Sequence, residues 1–191
     1  MKSLHKILMI LGSALLLSLF VFPLWNITLE APQYPTPLGM DIWITKLTGT
    51  NKGDIQNINL MNHYVGMKEI TTEMKEFEIF PIVIAGMSIL GILIGFSGKK
   101  NLFLGWFILI LILGIAGMYD FYLWEYDYGH NLNPKAAIKI PGQAYQPPLI
   151  GSKKILNFNA ISLPATGAYF MLTGLALTLT AYVVALKKER S

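Results

Sequence analysis

The chain contains no cysteine. This excludes a disulfide, haem attachment through CxxCH, an iron–sulfur cluster and a thiolate copper site, so any part folded outside a membrane is held by packing alone. Lysine, arginine and histidine are missing in a more local way: four apolar runs, Ile7 to Trp25, Ile79 to Phe96, Leu102 to Trp124 and Thr166 to Leu186, hold none of them. A quinol-oxidising helix bundle normally binds haem b through histidines inside its spans, and a transport path needs polar groups near the midplane; both are disfavoured here. No Ser-His-acid pattern can be read, internal repeats and low-complexity segments are absent, and the chain reads as a non-enzyme.

What is present is hydrophobicity: 53% of the 191 residues are apolar, too many for a soluble domain of this length. Each apolar run is close to the roughly 20 residues that cross a hydrocarbon core about 30 Å thick. The expected fold is therefore an all-α membrane protein: four transmembrane helices, with two long outward-facing loops forming a small, partly β extracytoplasmic region. Residues 1–25 form a cytoplasmic N-terminus and first span, 26–78 the first outer loop, and 79–124 the second and third spans with a short cytoplasmic turn. Residues 125–165 form the second outer loop, and 166–191 the last span and a cytoplasmic C-terminus.

Charge sets the orientation. Lys2 and Lys6, Lys99 and Lys100, and Lys187, Lys188 and Arg190 occupy the short segments, the pattern of a cytoplasmic side. The two long loops hold eight lysines and nine acids, so the net charge of +4 is an orientation signal and does not point to nucleic acid. The first run resembles a signal peptide, but LFVFPLWNI at 19–27 offers no small-x-small cleavage site and there is no lipobox cysteine, so it is read as an uncleaved span.

Within the first loop, Pro32, Pro35 and Pro37 around Tyr34 fix an extended path. Asp41 to Gly49, DIWITKLTG, reads as a strand or hairpin arm. Met67, Ile70, Met74 and Phe77 recur at helical spacing, which predicts an amphipathic helix near 67–78 that runs into the second span and bends or restarts at Pro81. The second loop is punctuated by proline and glycine and has room only for short strands and turns. Gly91 and Gly95, and Gly114 with Gly117, suit close helix packing. Asp120, within about a turn of the outer interface, is expected to make a structural hydrogen bond rather than conduct protons. Asn26-Ile27-Thr28 fits a glycosylation sequon and is given no role.

The densest chemistry lies in NINLMNHYVGM, Asn57 to Met67. Met61, His63 and Met67 offer ligands suited to copper(I), and Met40, Met74 and His130 can join them from the same face of the membrane. In an extended segment Met61 and His63 share a side; in a helix His63 and Met67 do. Methionine is more often packing material, so a metal site and ordinary packing both stand as readings. Tyr64, Tyr128 and Tyr145, with His63, Met67 and His130, make up a candidate partner-binding face. An interfacial aromatic belt accounts for part of that cluster.

Six strings resemble a known family: PQYP at 32–35, LGMDIW at 38–43, NINLMNHYVGM at 57–67, YDYGHNLNP at 126–134, YQPPLIG at 145–151 and LNF at 156–158. The family is the small polytopic membrane protein encoded beside nitrous-oxide reductase in bacteria with the Sec-exported form of that enzyme. The resemblance covers nearly all of both loops and the four-span layout. It implies a place in the bacterial plasma membrane and an accessory role in nitrous-oxide respiration (denitrification), beside a copper enzyme. Its partners would be the reductase or its maturation proteins and the lipid bilayer. No settled ligand set comes with it. The alternative, a quinol-linked electron-transfer membrane subunit, would need a redox group the chain does not obviously hold.

Overall fold

The computed structural model describes residues 3–190. The chain starts as a helix, α1 (Leu4–Ala14), which tightens into a 3₁₀ turn over Leu15–Phe20. A strand, β1 (Trp25–Glu30), follows, then a hairpin of β2 (Leu38–Ile42) and β3 (Leu47–Gly49), and a helix, α2 (Asp54–Val65). Two long helices, α3 (Glu76–Ser97) and α4 (Lys100–His130), precede a second hairpin, β4 (Gly151–Ile155) and β5 (Phe158–Pro164). The last helix is α5 (Thr166–Arg190).

Three of these helices, α3, α4 and α5, are long and apolar enough to cross a membrane; the first helical segment, Leu4–Phe20, is apolar but shorter. Together they form a bundle around Met9, Leu16, Met87, Phe103, Trp106, Ile110, Ala181 and Ala185. Missing side chains set how closely the helices approach. A Cβ on Gly12 would lie 2.6 Å from the Gly174 carbonyl oxygen, and one on Gly174 would lie 2.5 Å from that of Gly12, so α1 and α5 cross backbone to backbone. Gly91 and Gly95 of α3 accept Ser13 and Ile10 of α1 in the same manner. Gly114 and Gly117 do not pack as the sequence suggests: a Cβ on either meets nothing within 4 Å. Asp120 likewise makes no side-chain hydrogen bond among the described residues, contrary to expectation.

Both long connections contribute to a single five-stranded antiparallel sheet, ordered β3-β2-β1-β5-β4. The central pairing joins the loops, with Trp25 opposite Pro164 and Glu30 opposite Asn159. WNITLE alternates: Trp25, Ile27 and Leu29 face α2 and the end of α4, while Asn26 turns away. On that polar side Asn26 Nδ2 donates to Asp41 Oδ1 at 2.7 Å and the Thr28 hydroxyl donates to Asn26 Oδ1 at 2.8 Å, so the sequon residues bond each other. On the apolar side Trp25 Nε1 donates to the Ser162 hydroxyl at 2.8 Å. The sheet and α2, called the head below, stand directly on the bundle.

The helix of the first loop lies at 54–65, and residues 67–75 are not helical, which corrects the helix expected near 67–78. Two causes are visible. Gly66, at φ +85°, closes α2 in a left-handed C-cap. Beyond it, side chains replace helical hydrogen bonds: Asn59 receives the Ile70 N–H at 2.8 Å and donates to the Ile70 carbonyl at 3.1 Å, and Asn62 donates to the Lys68 carbonyl at 3.2 Å. Ile70 still reaches the head core and Met67 an adjoining cluster, but from an irregular segment, whereas Phe77 does so from the first turn of α3. α3 then continues through Pro81 without interruption.

Candidate functional site

A hydrocarbon core takes about 20 residues of helix, which from Leu102 accounts for α4 as far as about Tyr122. The last two turns, Trp124 to His130, stand beyond that length, in the head. Phe121, Trp124 and Tyr128 pack on Trp25 and its neighbours, with Trp25 edge-on to Phe121 at 5.8 Å and Trp124 against Tyr128 at 4.6 Å.

The loops are fastened around this helix end by backbone contacts. Asn133 N–H donates to the Gly66 carbonyl at 2.7 Å, Ile138 N–H to Tyr64 at 2.9 Å, and Tyr145 N–H to Gly129 at 2.9 Å. Gly129 permits the last approach, since a Cβ there would stand 2.4 Å from Gln146 N. Lys68 pairs with Asp127, and this bond, with a second from Asn131, holds the Asp127 carboxyl below the usual carboxylate range. The Tyr128 hydroxyl donates to the Glu69 carbonyl at 3.1 Å.

These contacts border a partly open apolar cavity of about 330 Å³ between α2, the sheet and the end of α4. Each of the six strings singled out in the sequence supplies part of its wall: Gln33, Met40, Met61, Tyr128, Tyr145 and Phe158 are one from each. Residues separated by more than a hundred positions thus converge on one space. Leu156, at the turn of the β4–β5 hairpin, lines it with φ +55°, a left-handed conformation that costs a branched side chain about 1 kcal/mol or more.

Glu125 is the group that sequence reasoning missed. Its side chain is fully buried against the cavity, and neither carboxyl oxygen has a hydrogen-bond partner among the described residues. Burial without a donor or cation pushes its pKa up from the ordinary 4.5 to about 8, so the carboxyl is neutral at pH 7. The Tyr145 hydroxyl, also buried, likewise has no partner. The available signal was an acid placed immediately after the aromatic end of a span.

The sequence-predicted residues divide into two groups. Met61, Met67, Tyr64, Tyr128 and Tyr145 line the cavity. His63 and His130 do not: both are exposed, His63 beside Tyr64 on α2 and His130 stacked at 4.0 Å on Tyr126 with Nδ1 3.0 Å from the Tyr126 carbonyl. The structure therefore brings the two thioethers to a common cavity and leaves the imidazoles on the surface. The exposed residues His63, Tyr64, Tyr126, His130 and Ile138 form the outside of the same region that Met61, Met67 and Glu125 form from within. In comparisons with known protein families and with curated protein sequences, the chain matches none.

Proposed function

We propose that the chain is a non-catalytic accessory subunit of nitrous-oxide respiration, anchored in the bacterial plasma membrane, whose head docks the copper-containing reductase or one of its maturation proteins. The observation that carries this reading is the convergence of all six family-like strings on one region of the head, with exposed aromatic and imidazole side chains on its outside. Aromatic residues of this kind are the usual anchors of protein interfaces. A rigid head made from both loops, tied by the β1–β5 ladder, presents them without an ordering cost at the moment of binding.

The anchor has four spans with both termini cytoplasmic. The first helical segment, at 1.5 Å per residue over 11 residues and about 2.0 Å over the six 3₁₀ residues, reaches about 28 Å, close to a hydrocarbon core. The positive-inside distribution supports a head outside the cytoplasm, where a Sec-exported enzyme is found. Copper, on this reading, belongs to the partner, with Met61 and Met67 the candidate ligands for any transient contact on this chain.

Deleting the gene from a nitrous-oxide-respiring host tests the assignment. Growth on nitrous oxide is expected to fail and to be restored by the full chain. Undiminished growth of the deletion strain refutes the role.

A further inference from the structure

We propose that the cavity is itself a ligand site for a lipid-soluble ring carrying oxygen substituents, of the quinone or hydroquinone class, its oxygens meeting Glu125 and Tyr145 and its ring lying among Trp124, Tyr128 and Phe158. The inference concerns the interior of the head, whereas the docking face lies on its outside and shares Tyr64 and Ile138 with the cavity wall. It starts from polar atoms without partners. Elsewhere in the head buried polar side chains are satisfied: Asp54 accepts the Gly39 and Asn51 N–H groups at 2.9 Å each, and Ser162 accepts the Trp25 indole. The two Glu125 oxygens, the Tyr145 hydroxyl and the Trp124 indole N–H are not, and all three residues line the same space. A buried hydrogen-bonding group left unmet costs about 1–3 kcal/mol, so a site that tolerates several is built for something that meets them.

The walls then define the ligand. At about 330 Å³ the volume falls in the range of small-molecule sites. No lysine, arginine or histidine lines it, so a phosphate headgroup or a fatty-acid carboxylate would find no counter-charge. The mostly aliphatic and aromatic wall leaves most of the space without partners for water. What fits is a neutral, largely apolar molecule with a few oxygens, and flat side chains favour a flat ring. Glu125 lies within about one turn of the part of α4 that a hydrocarbon core accounts for, so the cavity stands next to the bilayer surface from which such a molecule would enter.

Binding is tested on the purified full-length protein in detergent by titrating decylubiquinone and following quenching of tryptophan fluorescence. Saturable quenching is expected. Val65→Trp, which fills the cavity from the last residue of α2, should abolish it. Glu125→Leu should weaken it at least tenfold, and Tyr145→Phe, which removes one oxygen and almost no volume, several-fold, even if the leucine variant proves unstable. Absence of saturable quenching in the wild-type protein, or unchanged affinity in both Val65→Trp and Tyr145→Phe, overturns the site. Displacement of the quinone by 1-dodecanol at equal concentration overturns the assignment of a ring.

Discussion

Replacing Glu125 by glutamine converts the least satisfied group in the head into a test of its charge state. In the folded protein the carboxyl titrates near pH 8, whereas in an unfolded chain it titrates near its ordinary value of 4.5. Between these limits the unfolded state has released a proton that the folded state retains, so stability falls as pH rises, by up to about 1.4 kcal/mol per pH unit. Over the whole window a fully dry site loses on the order of 5 kcal/mol, and less if water enters the cavity. Asp127 acts with the opposite sign, because its pKa is held low: its contribution is present above the ordinary aspartate value and is lost only as the solution is acidified through the folded one. The difference between the wild type and the glutamine variant from pH 5 to pH 8.5 isolates Glu125, because every other titrating group is common to both proteins. The glutamine variant carries no proton to release. Its thermal midpoint in detergent should match the wild type near pH 5, where both side chains are neutral, and exceed it increasingly towards pH 8.5. Parallel curves for the two proteins across that range would show that Glu125 is ionised in the fold and would refute the argument.

Gly129→Ala places a methyl group against the Gln146 backbone, so α4 and the 145–151 segment must separate. A loss of about 2–4 kcal/mol is expected, read as faster proteolysis between residues 131 and 150 than in the wild type. Gly174→Val wedges α1 from α5 and should lower the thermal midpoint of the bundle by several degrees, whereas Gly114→Val, at a position with open space, should leave it nearly unchanged. For orientation, Lys52→Cys and Lys153→Cys should each react with an impermeant thiol reagent in intact cells and Lys99→Cys should not; the reverse pattern would invert the topology.

Much of this architecture is written in the sequence at the level of apolar runs and strand patterns. The spans at 79–96, 102–124 and 166–186 lie within α3, α4 and α5, and DIWITKLTG holds the β2–β3 turn. The first run is less regular than its hydropathy suggests, because Leu15–Phe20 tightens and Trp25 already belongs to the sheet. The β1–β5 pairing could not be read locally, since its partners are 129 residues or more apart. At 67–78 a helical period misled, because periodicity records which side chains are apolar and not whether Asn59 and Asn62 take over the backbone hydrogen bonds. His63 and His130 drew attention as rare residues, yet both are on the surface. The group with the most perturbed environment, Glu125, looked like one ordinary loop acid among nine because its burial depends on contacts from both loops.

The docking claim is tested most directly by isolating the tagged full-length chain in mild detergent from cells respiring nitrous oxide and measuring what accompanies it. The reductase or a maturation protein should co-isolate with the wild-type chain. Retention should fall strongly in a His63→Ala, Tyr64→Ala, His130→Ala variant whose thermal midpoint is unchanged. Failure of both proteins to accompany the wild-type chain, or equal retention by the variant, would contradict the account.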